Sequence, residues 1–445
     1  MCQKLKSIIT KCVVMALMGC CGQASTWAQP VQQSSPSNSL NTPVTWVDSD
    51  TGKRVTRLTD EPNSRSLYFN QNAFTPDGKE MVYLANNSIY VVALAGTNPT
   101  RLLVPGPINS IVVGRKTPTV YFTKTDDNGF YAINVNTGQM LKLLDLPLHA
   151  RVTTLNADET MAAGTLIEGE VSASVQQDTD PVLRSAPLTE DQMDARFTAR
   201  LPMALYTLDL RTATIKTILR STDWLDEVMF SPKDPTLLMY CHQGPWTKVD
   251  RIWTIRTDGT GNELVHKRTL SREAVGNAFW DNDGNTIWYD LQLPLGETFY
   301  LASYNVKTGQ RMRYSIARDN WSIHYNAAAD GSVFCGDGSD SVGPAVALDG
   351  KWVELFTPKT RIEPLDPSKQ NLIQTGSLNP WHLVNLSKQK YTVEPNVRFS
   401  PDHKQVIFTS NMFGPSYVYA VDADVVATQA TQVKYSVGGG KLPNL

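Results

Sequence analysis

The chain has six histidines, the side chains best suited to moving protons near neutral pH. His242 stands in Cys241-His242-Gln243-Gly244-Pro245-Trp246, directly after the apolar run Leu237-Leu238-Met239-Tyr240. A strand that ends in a Gly-Pro break delivers its last side chain to a rim or channel mouth. His324 lies in Trp321-Ser322-Ile323-His324-Tyr325-Asn326, just ahead of a turn. Position alone leaves both open between a satisfied structural imidazole and a working one. His403 falls in a turn, and His149 and His266 fall at polar strand edges. Other chemistries are excluded by motif. There is no His-Glu-x-x-His and no Gly-x-Ser-x-Gly elbow. Gly438-Gly439-Gly440-Lys441 lacks the first glycine of a phosphate-binding loop. Cys2, Cys12, Cys20 and Cys21 crowd the N-terminus, so only Cys241 and Cys335 remain in the body and no Cys-x-x-Cys site exists.

Residues so far apart in sequence need a frame that gathers them, and a repeat supplies it. Short runs of Val, Ile, Tyr, Leu and Thr alternate with polar residues and Asp-Gly or Thr-Gly turns, the pattern of β-strands. One unit, an aromatic or substitute followed by a Pro-Asp-Gly-like turn and an apolar strand, recurs seven times. Its turns are Phe74-Thr75-Pro76-Asp77-Gly78, Arg115-Lys116-Thr117-Pro118, Leu155-Asn156-Ala157-Asp158-Glu159, Phe230-Ser231-Pro232-Lys233-Asp234, Asp281-Asn282-Asp283-Gly284, Ala329-Asp330-Gly331 and Phe399-Ser400-Pro401-Asp402. Second turns at Asn136-Thr137-Gly138, Thr257-Asp258-Gly259 and Lys307-Thr308-Gly309 frame hairpins. A unit of about 40–50 residues with four strands is one propeller blade. The pattern therefore predicts an all-β, seven-bladed propeller over residues 44–445. Two insertions are expected, at 167–200 and 340–394, the second with little periodicity after about 365. Thr189-Glu190-Asp191-Gln192 is a capping box and predicts a helix in the first insertion. The stretch from Thr45 to Thr59 is expected to close the ring against the last blade, leaving no free sheet edge. The turn aspartates are read as turn formers, not as catalytic carboxylates.

Lys+Arg is 41 and Asp+Glu is 43, a net charge of −2, which argues against a nucleic-acid partner. Residues 1–28 read as an export signal: Lys4, Lys6 and Lys11 precede a short apolar stretch, and Thr26-Trp27-Ala28 suits cleavage. Leu17-Met18-Gly19-Cys20 also resembles a lipobox, which would place a lipid anchor on Cys20. Residues 29–43 read as a polar linker. No apolar run elsewhere reaches the ~18 residues of a membrane span. The expected location is periplasmic or extracellular, and the oligomeric state is left open.

Five segments carry a resemblance: 66–79, 230–260, 277–290, 330–340 and 394–411. Together they resemble the oligogalacturonate lyases of polysaccharide lyase family twenty-two, in that family's order. Cys-His-x-Gly-Pro and Gly-Asp-Gly-Ser-Asp are the most specific parts. The resemblance implies a seven-bladed propeller that cleaves short α-1,4-linked galacturonides by β-elimination with a divalent metal, typically manganese. It implies that His242 is the base. It also shows departures. The family's metal histidines correspond to Asn277 in Gly276-Asn277-Ala278-Phe279-Trp280, and to Glu394 and Asn396, with Tyr391 where the family has Gln. Asn70 and Glu227 likewise stand where the family tends to have His. One carboxylate and two amide oxygens suit a hard ion such as Ca²⁺, Mg²⁺ or Mn²⁺, or else a metal-free site for sugar hydroxyls. For the family's catalytic arginine, Arg200, Arg220 and Arg251 are candidates.

An acidic oligosaccharide needs cationic forks and aromatic faces. Arg65, Arg251 and Arg398 are candidates for the first, and Tyr68, Trp246 and Trp280 for the second. Asn70, Gln71 and His324 complete the expected substrate contacts. Two rival readings are a glycan- or envelope-binding propeller without catalysis, and a lyase for a different uronide.

Overall fold

The structure is a computed structural model that describes residues 42–95, 100–169, 188–338, 351–360 and 373–423. The expected signal and nearly all of the linker lie outside these residues. The described chain is all-β apart from one α-helix and a short 3-10 turn.

Each of the seven repeat turns joins the first strand of a four-strand set to its second. The turn at Pro76 leads into Glu80–Ala85, Pro118 into Thr119–Lys124, Asn156 into Met161–Ile167, and Pro232 into Leu237–Gln243. Asp283 leads into Thr286–Gln292, Asp330 into Phe334–Asp337, and Pro401 into Gln405–Ser410. The aspartates make these turns themselves: Asp77 accepts from Thr75 Oγ1 at 2.7 Å and from the Lys79 amide at 3.1 Å. Asp402 does the same with Ser400 and Lys404.

Among the described residues, hydrogen bonding defines six sheets. Four have four strands, over 64–104, 108–145, 150–221 and 224–264. One has eight strands, over 274–385, and one has five. The eight-stranded sheet joins two repeat units because Arg311–Ser315 pairs in parallel with the first residues of Gln374–Asn385. All other pairings are antiparallel. The five-stranded sheet combines both ends of the described chain: Arg54–Arg57 pairs with Tyr417–Asp422, and Thr45–Val47 adds outside it.

Packing runs from each unit to the next. Phe130, Val152 and Tyr206 join the second unit to the third, and Ala163, Leu225 and Leu238 join the third to the fourth. Met239 and Val275 continue to the fifth, Phe279 and Tyr325 to the sixth, and Cys335 and Val406 to the last. Ile407 and Val418 of the last unit then share a core with Met81 and Val82 of the first. The apolar contacts thus return to where they began.

Two expectations are corrected. The described part of the expected insertion at 340–394 belongs to the repeat: it supplies the two longest strands of the described residues, Trp352–Thr360 and, in the stretch with little sequence periodicity, Gln374–Asn385. These are the outer strands of the unit that starts at His324. His382 sits on the second and stacks on Trp352, with ring centroids 4.1 Å apart. His266 is not at a polar edge. It is buried between Glu273, at 2.7 Å, and the Tyr289 hydroxyl, at 3.1 Å. Of the first insertion, 170–187 lies outside the described residues. The helix Glu190–Thr198 starts at the expected box, with Thr189 and Gln192 capping each other.

The third and fourth units are also tied by an ion pair, Arg151 to Asp226 at 2.8 Å, both side chains almost fully buried. Removing one partner strands a buried charge, whereas replacing both by apolar residues need not. Asp226→Ala should therefore lower unfolding stability by about 3–5 kcal/mol in urea titration, and the double variant Arg151→Met/Asp226→Leu should recover most of it.

Candidate functional site

The site is built from one phase of the repeat. Counting three residues back from the position that ends the first strand of a unit (Phe230, Trp280, Ala327, Phe399), or in the first unit from the bridge residue Phe74, gives Glu227, Asn277, His324, Asn396 and Gln71. At three of these the backbone is left-handed, with φ of 48° at Glu227, 45° at Asn277 and 51° at Asn396. At the first two the strand register slips too, between Asp226 and Met229 and between Gly276 and Phe279. These are β-bulges, which re-aim a side chain that ordinary alternation would point elsewhere.

Contacts link these residues into one region. Asn277 Nδ2 donates to Asp290 Oδ2 at 2.8 Å and to the Ile323 carbonyl, next to His324, at 2.7 Å. Asn396 Oδ1 accepts from the Phe69 amide at 3.1 Å, and Asn70 Nδ2 donates to the Ala278 carbonyl at 3.2 Å. Glu227, Cys241, Arg251, Gly276 and Asn277 line one small cleft. Burial pushes the Asp290 carboxyl well up, and the neighbouring Asp337 adds to this.

His324 is 1% exposed. Its Nδ1 lies 3.2 Å from Asp337 Oδ2, and its ring packs against Phe69 and Tyr68. Nε2 has no hydrogen-bond partner and lies 4.0 Å from Glu394 Oε2. Burial pulls this imidazole's pKa down, but Asp337, Glu394 and Glu227 together leave it raised.

His242 is the next-to-last residue of the strand Leu237–Gln243. Its ring stacks on Trp253, with centroids 5.0 Å apart, and Nδ1 lies 3.2 Å from Asp223 Oδ2. Asp223 also pairs with Arg200. Nδ1–H donating to Asp223 places the lone pair on Nε2, which is buried and has no hydrogen-bond partner. Burial lowers the pKa of this imidazole, with Asp223 opposing the shift and Arg200 adding to it. The group is therefore a neutral base at pH 7.

Arg251 is 2% exposed and does not face an open site. It donates to Gln243 Oε1 at 2.9 Å and to the Gly244 carbonyl at 3.0 Å, lies 3.8 Å from Glu227, and covers the Trp246 ring. Trp246 in turn lies on Gly276, where any Cβ would meet the indole at 2.3 Å. The helix reaches the same corner, through Phe197 against Gly244 and Asp194 paired with Lys248.

Arg398, expected to grip substrate, is buried and donates to the backbone carbonyls of Leu67, Tyr68 and Gln71, which fixes that loop instead. Arg220 pairs with Glu168 at the surface. Gln71 Oε1 caps the Tyr68 amide at 3.1 Å. Trp280 Nε1 bonds the Met229 carbonyl at 3.2 Å. Sequence reasoning missed Asp223 and Asp290, met Asp337 only inside the Gly-Asp-Gly-Ser-Asp segment without a role for it, and met Glu227 only as a replaced histidine. The shared repeat phase would have found Glu227, but nothing local gives Asp223 or Asp290 a role.

The fit to a divalent cation is partial. The Asn396 carbonyl oxygen accepts from the Phe69 amide, and its NH₂ donates to the Glu394 backbone carbonyl at 3.3 Å. The Glu394 carboxylate and the Asn277 carbonyl oxygen are the groups of the expected set that can serve as ligands. Among the described residues no group of three His, Cys, Asp or Glu side chains forms a metal cluster.

The fold is that of a solved oligogalacturonate lyase in complex with manganese, at TM-score 0.69 and 23% identity, covering 86% of this chain and 96% of that one. The oligogalacturonate lyase family description matches residues 38–426. An oligogalacturonide lyase of Pectobacterium atrosepticum is 26% identical over 382 residues, 84% of this chain and 94% of that protein. An oligogalacturonate lyase of Dickeya dadantii is 24% identical over 388 residues, with the same coverage of each. The chain belongs to the oligogalacturonate lyase family.

Asp223 and Arg200 pull the His242 pKa in opposite directions. Asp223→Asn should lower it and Arg200→Met should raise it, as followed by NMR titration of the imidazole carbons. Because the folded pKa lies below the ordinary value of 6.5, protonation favours the unfolded chain. His242 thus stabilises the fold above about pH 6.5, and that contribution is lost as pH falls.

Proposed function

We propose that the chain is an exported lyase that cleaves uronic-acid oligosaccharides, pectin-derived oligogalacturonides first, by β-elimination, with His242 as base. The single observation that carries this is His242 itself: Nδ1 is held by Asp223, and a neutral, unpartnered Nε2 lies near the end of a strand whose neighbouring residue, Cys241, lines the cleft. Family membership supports the substrate class. The same reading treats the sheets as seven blades of a propeller, the eight-stranded sheet counting as two. The cyclic succession of apolar cores supports that count.

In the reaction, His242 Nε2 takes the C5 proton, which the adjacent uronate carboxylate makes weakly acidic. The C5–H electron pair becomes the C4–C5 double bond, the C4–O4 bond breaks, and the departing oxygen takes up a proton. Asp223 keeps the base in one tautomer and steadies the imidazolium as it forms. Arg200 holds Asp223 in place from outside. Arg251 anchors the Gly244–Pro245 corner and with it the Trp246 indole, a face on which a sugar ring can stack. A divalent cation held by Glu394 and Asn277 would withdraw charge from the uronate carboxylate and so favour the carbanion-like state.

A second reading, a glycan-binding propeller without turnover, is favoured by the enclosure of Nε2 and by the loss of the family's histidines. The two separate on one experiment. Purified protein is given oligogalacturonides with Mn²⁺ or Ca²⁺, and the ultraviolet absorbance of the conjugated double bond is followed. Turnover is expected, and His242→Ala should lower kcat by about 10²–10⁴-fold with little change in fold. The acid limb of the wild-type profile should fall below pH 6.5, the ordinary imidazole value. Saccharide binding with no double-bond signal on any uronide would leave only the second reading.

A further inference from the structure

We propose that the chain has a second binding site, for a small oxyanion (the carboxylate of a sugar acid or a free phosphate), in the cavity at the turn end of its repeat units. The cavity measures about 360 Å³. Five units wall it, through Pro76 of the first, Arg115 of the second, Trp280 of the fifth, Asn326 of the sixth and Ser400 of the last. It lies away from His242. In the fourth unit Trp224 pairs with Gln243 at one end of the first strand, and the turn follows Phe230 at the other. Phe69 stands as a partition: its ring packs on His324, and it also lines the cavity.

Charge is the first observation. Arg115 and Arg398 both line the cavity, and among the described residues no aspartate or glutamate does. Arg398 is 3% exposed and gives its terminal nitrogens to backbone carbonyls, while Nε has no hydrogen-bond partner. No carboxylate of the described residues pairs with it. Burial pulls its pKa down to about 10, and the charge of Arg115 adds to this. Arg115 is exposed and forms no ion pair with a described residue, and the protein that crowds it lowers its pKa as well. Both guanidiniums are charged at pH 7, so the cavity holds two cations that repel each other until an anion enters. The turn aspartates do not fill that role. Asp77 bonds Thr75 and Lys79, Asp402 bonds Ser400 and Lys404, and neither lines the cavity.

The walls are held in place, which is the second observation. Asn72 Nδ2 donates to the Val113 and Gly114 carbonyls at 3.3 and 3.1 Å, which fixes the chain that carries Arg115. Gly78, with φ of 68°, lies so close to Pro401 that a Cβ would come to 2.9 Å, so the first and last turns interlock. The third observation is the set of polar groups left over. Asn326 Oδ1 accepts from the Phe399 amide at 3.3 Å, which leaves Nδ2 to donate into the cavity it lines. Asn70 gives Nδ2 to the Ala278 carbonyl, which leaves Oδ1 to accept. A guanidinium suits the acid group, the two amides suit hydroxyls, and the Trp280 ring suits the face of a sugar. A phosphate would use the cations alone.

The test uses the full chain and ligand-detected NMR with D-galacturonate, inorganic phosphate and D-galactose. At least one of the two anions should bind saturably, and galactose, which lacks the charge, should bind at least about tenfold more weakly. Galacturonate tighter than phosphate assigns a sugar acid, the reverse order assigns free phosphate, and either supports the site. Arg115→Met should weaken anion binding at least about tenfold, and Arg115→Lys should weaken it less, since an ammonium keeps the charge and loses the fork. Arg115 is exposed, so its variants should fold. Asn326→Asp keeps the acceptor for Phe399 and turns the donor into a negative charge, so it should remove binding. His242→Ala should leave binding within about twofold, because distant sites act independently. No saturation by either anion at about 10 mM would overturn the inference. So would binding that survives both Arg115→Met and Asn326→Asp, or that galactose matches. Anion binding with no uronide turnover would leave this site intact and count against the lyase reading alone.

Discussion

The whole site depends on backbone geometry at the bulges of the inner strands. A regular strand alternates its side chains, so every second residue would face the flanking core. At Glu227 and Asn277 the chain instead takes a left-handed residue and loses register, and at Asn396, just ahead of a strand, it takes a left-handed residue. One extra polar side chain per unit is thereby aimed where the pleat would not send it. Asparagine tolerates that conformation well, whereas glutamate tolerates it poorly. Glu227 is therefore the most informative of the three: the fold accepts a strained carboxylate there, bonded by Gln243 at 2.6 Å and faced by Arg251.

The bulges also explain why a buried polar network can exist between apolar cores. Arg251, Gln243 and Glu227 form a set in which the cation's hydrogen bonds go to an amide and a carbonyl and the carboxylate receives an amide hydrogen, while Arg251 Nε has no hydrogen-bond partner. Such a set is stabilising only when its members are partnered. Its effect is positional. It fixes the Gly244–Pro245 corner, where Gly244 has φ 145° and leaves no room for a side chain against Phe197 and Val249. The helix Glu190–Thr198 presses on the same corner, so a segment far away in sequence steadies the strand end that carries His242.

Much of this was legible in the sequence because turns announce themselves. Asp77, Asp283 and Asp402 bond their own loops, a local effect that needs no tertiary information. The seven strand-turn-strand joints, the closing strands at Thr45–Val47 and Arg54–Arg57, and the capped helix all follow from such signals. The two long strands after Trp352 were not legible. Their residues, with Pro358, Pro380 and interspersed polar side chains, lack a clean two-residue period, and pairing across the sheet overrides weak propensity. The site was legible at His242, where a break follows a strand. It was illegible in the parts played by Asp223 and Asp337, because each carboxylate meets its histidine only through the pairing of the first two strands of a unit. Arg398 shows the same limit from the other side: its charge suggested a sugar acid, and three carbonyls claimed it.

His242 and His324 show how one residue type is set to two states by its neighbours. Both imidazoles have Nδ1 beside an aspartate and an unpartnered Nε2. Asp223 is itself half-exposed and shared with Arg200, so burial dominates at His242 and the ring stays neutral. At His324 the fully buried Asp337 is joined by Glu394 and Glu227, and their combined field overcomes a larger burial. A neutral ring whose lone pair is free suits proton removal. A ring ringed by carboxylates attracts positive charge to Nε2, whether that charge is a proton or a metal ion. The different states of the two imidazoles thus come from how many carboxylates each one faces, which the sequence around either histidine does not reveal.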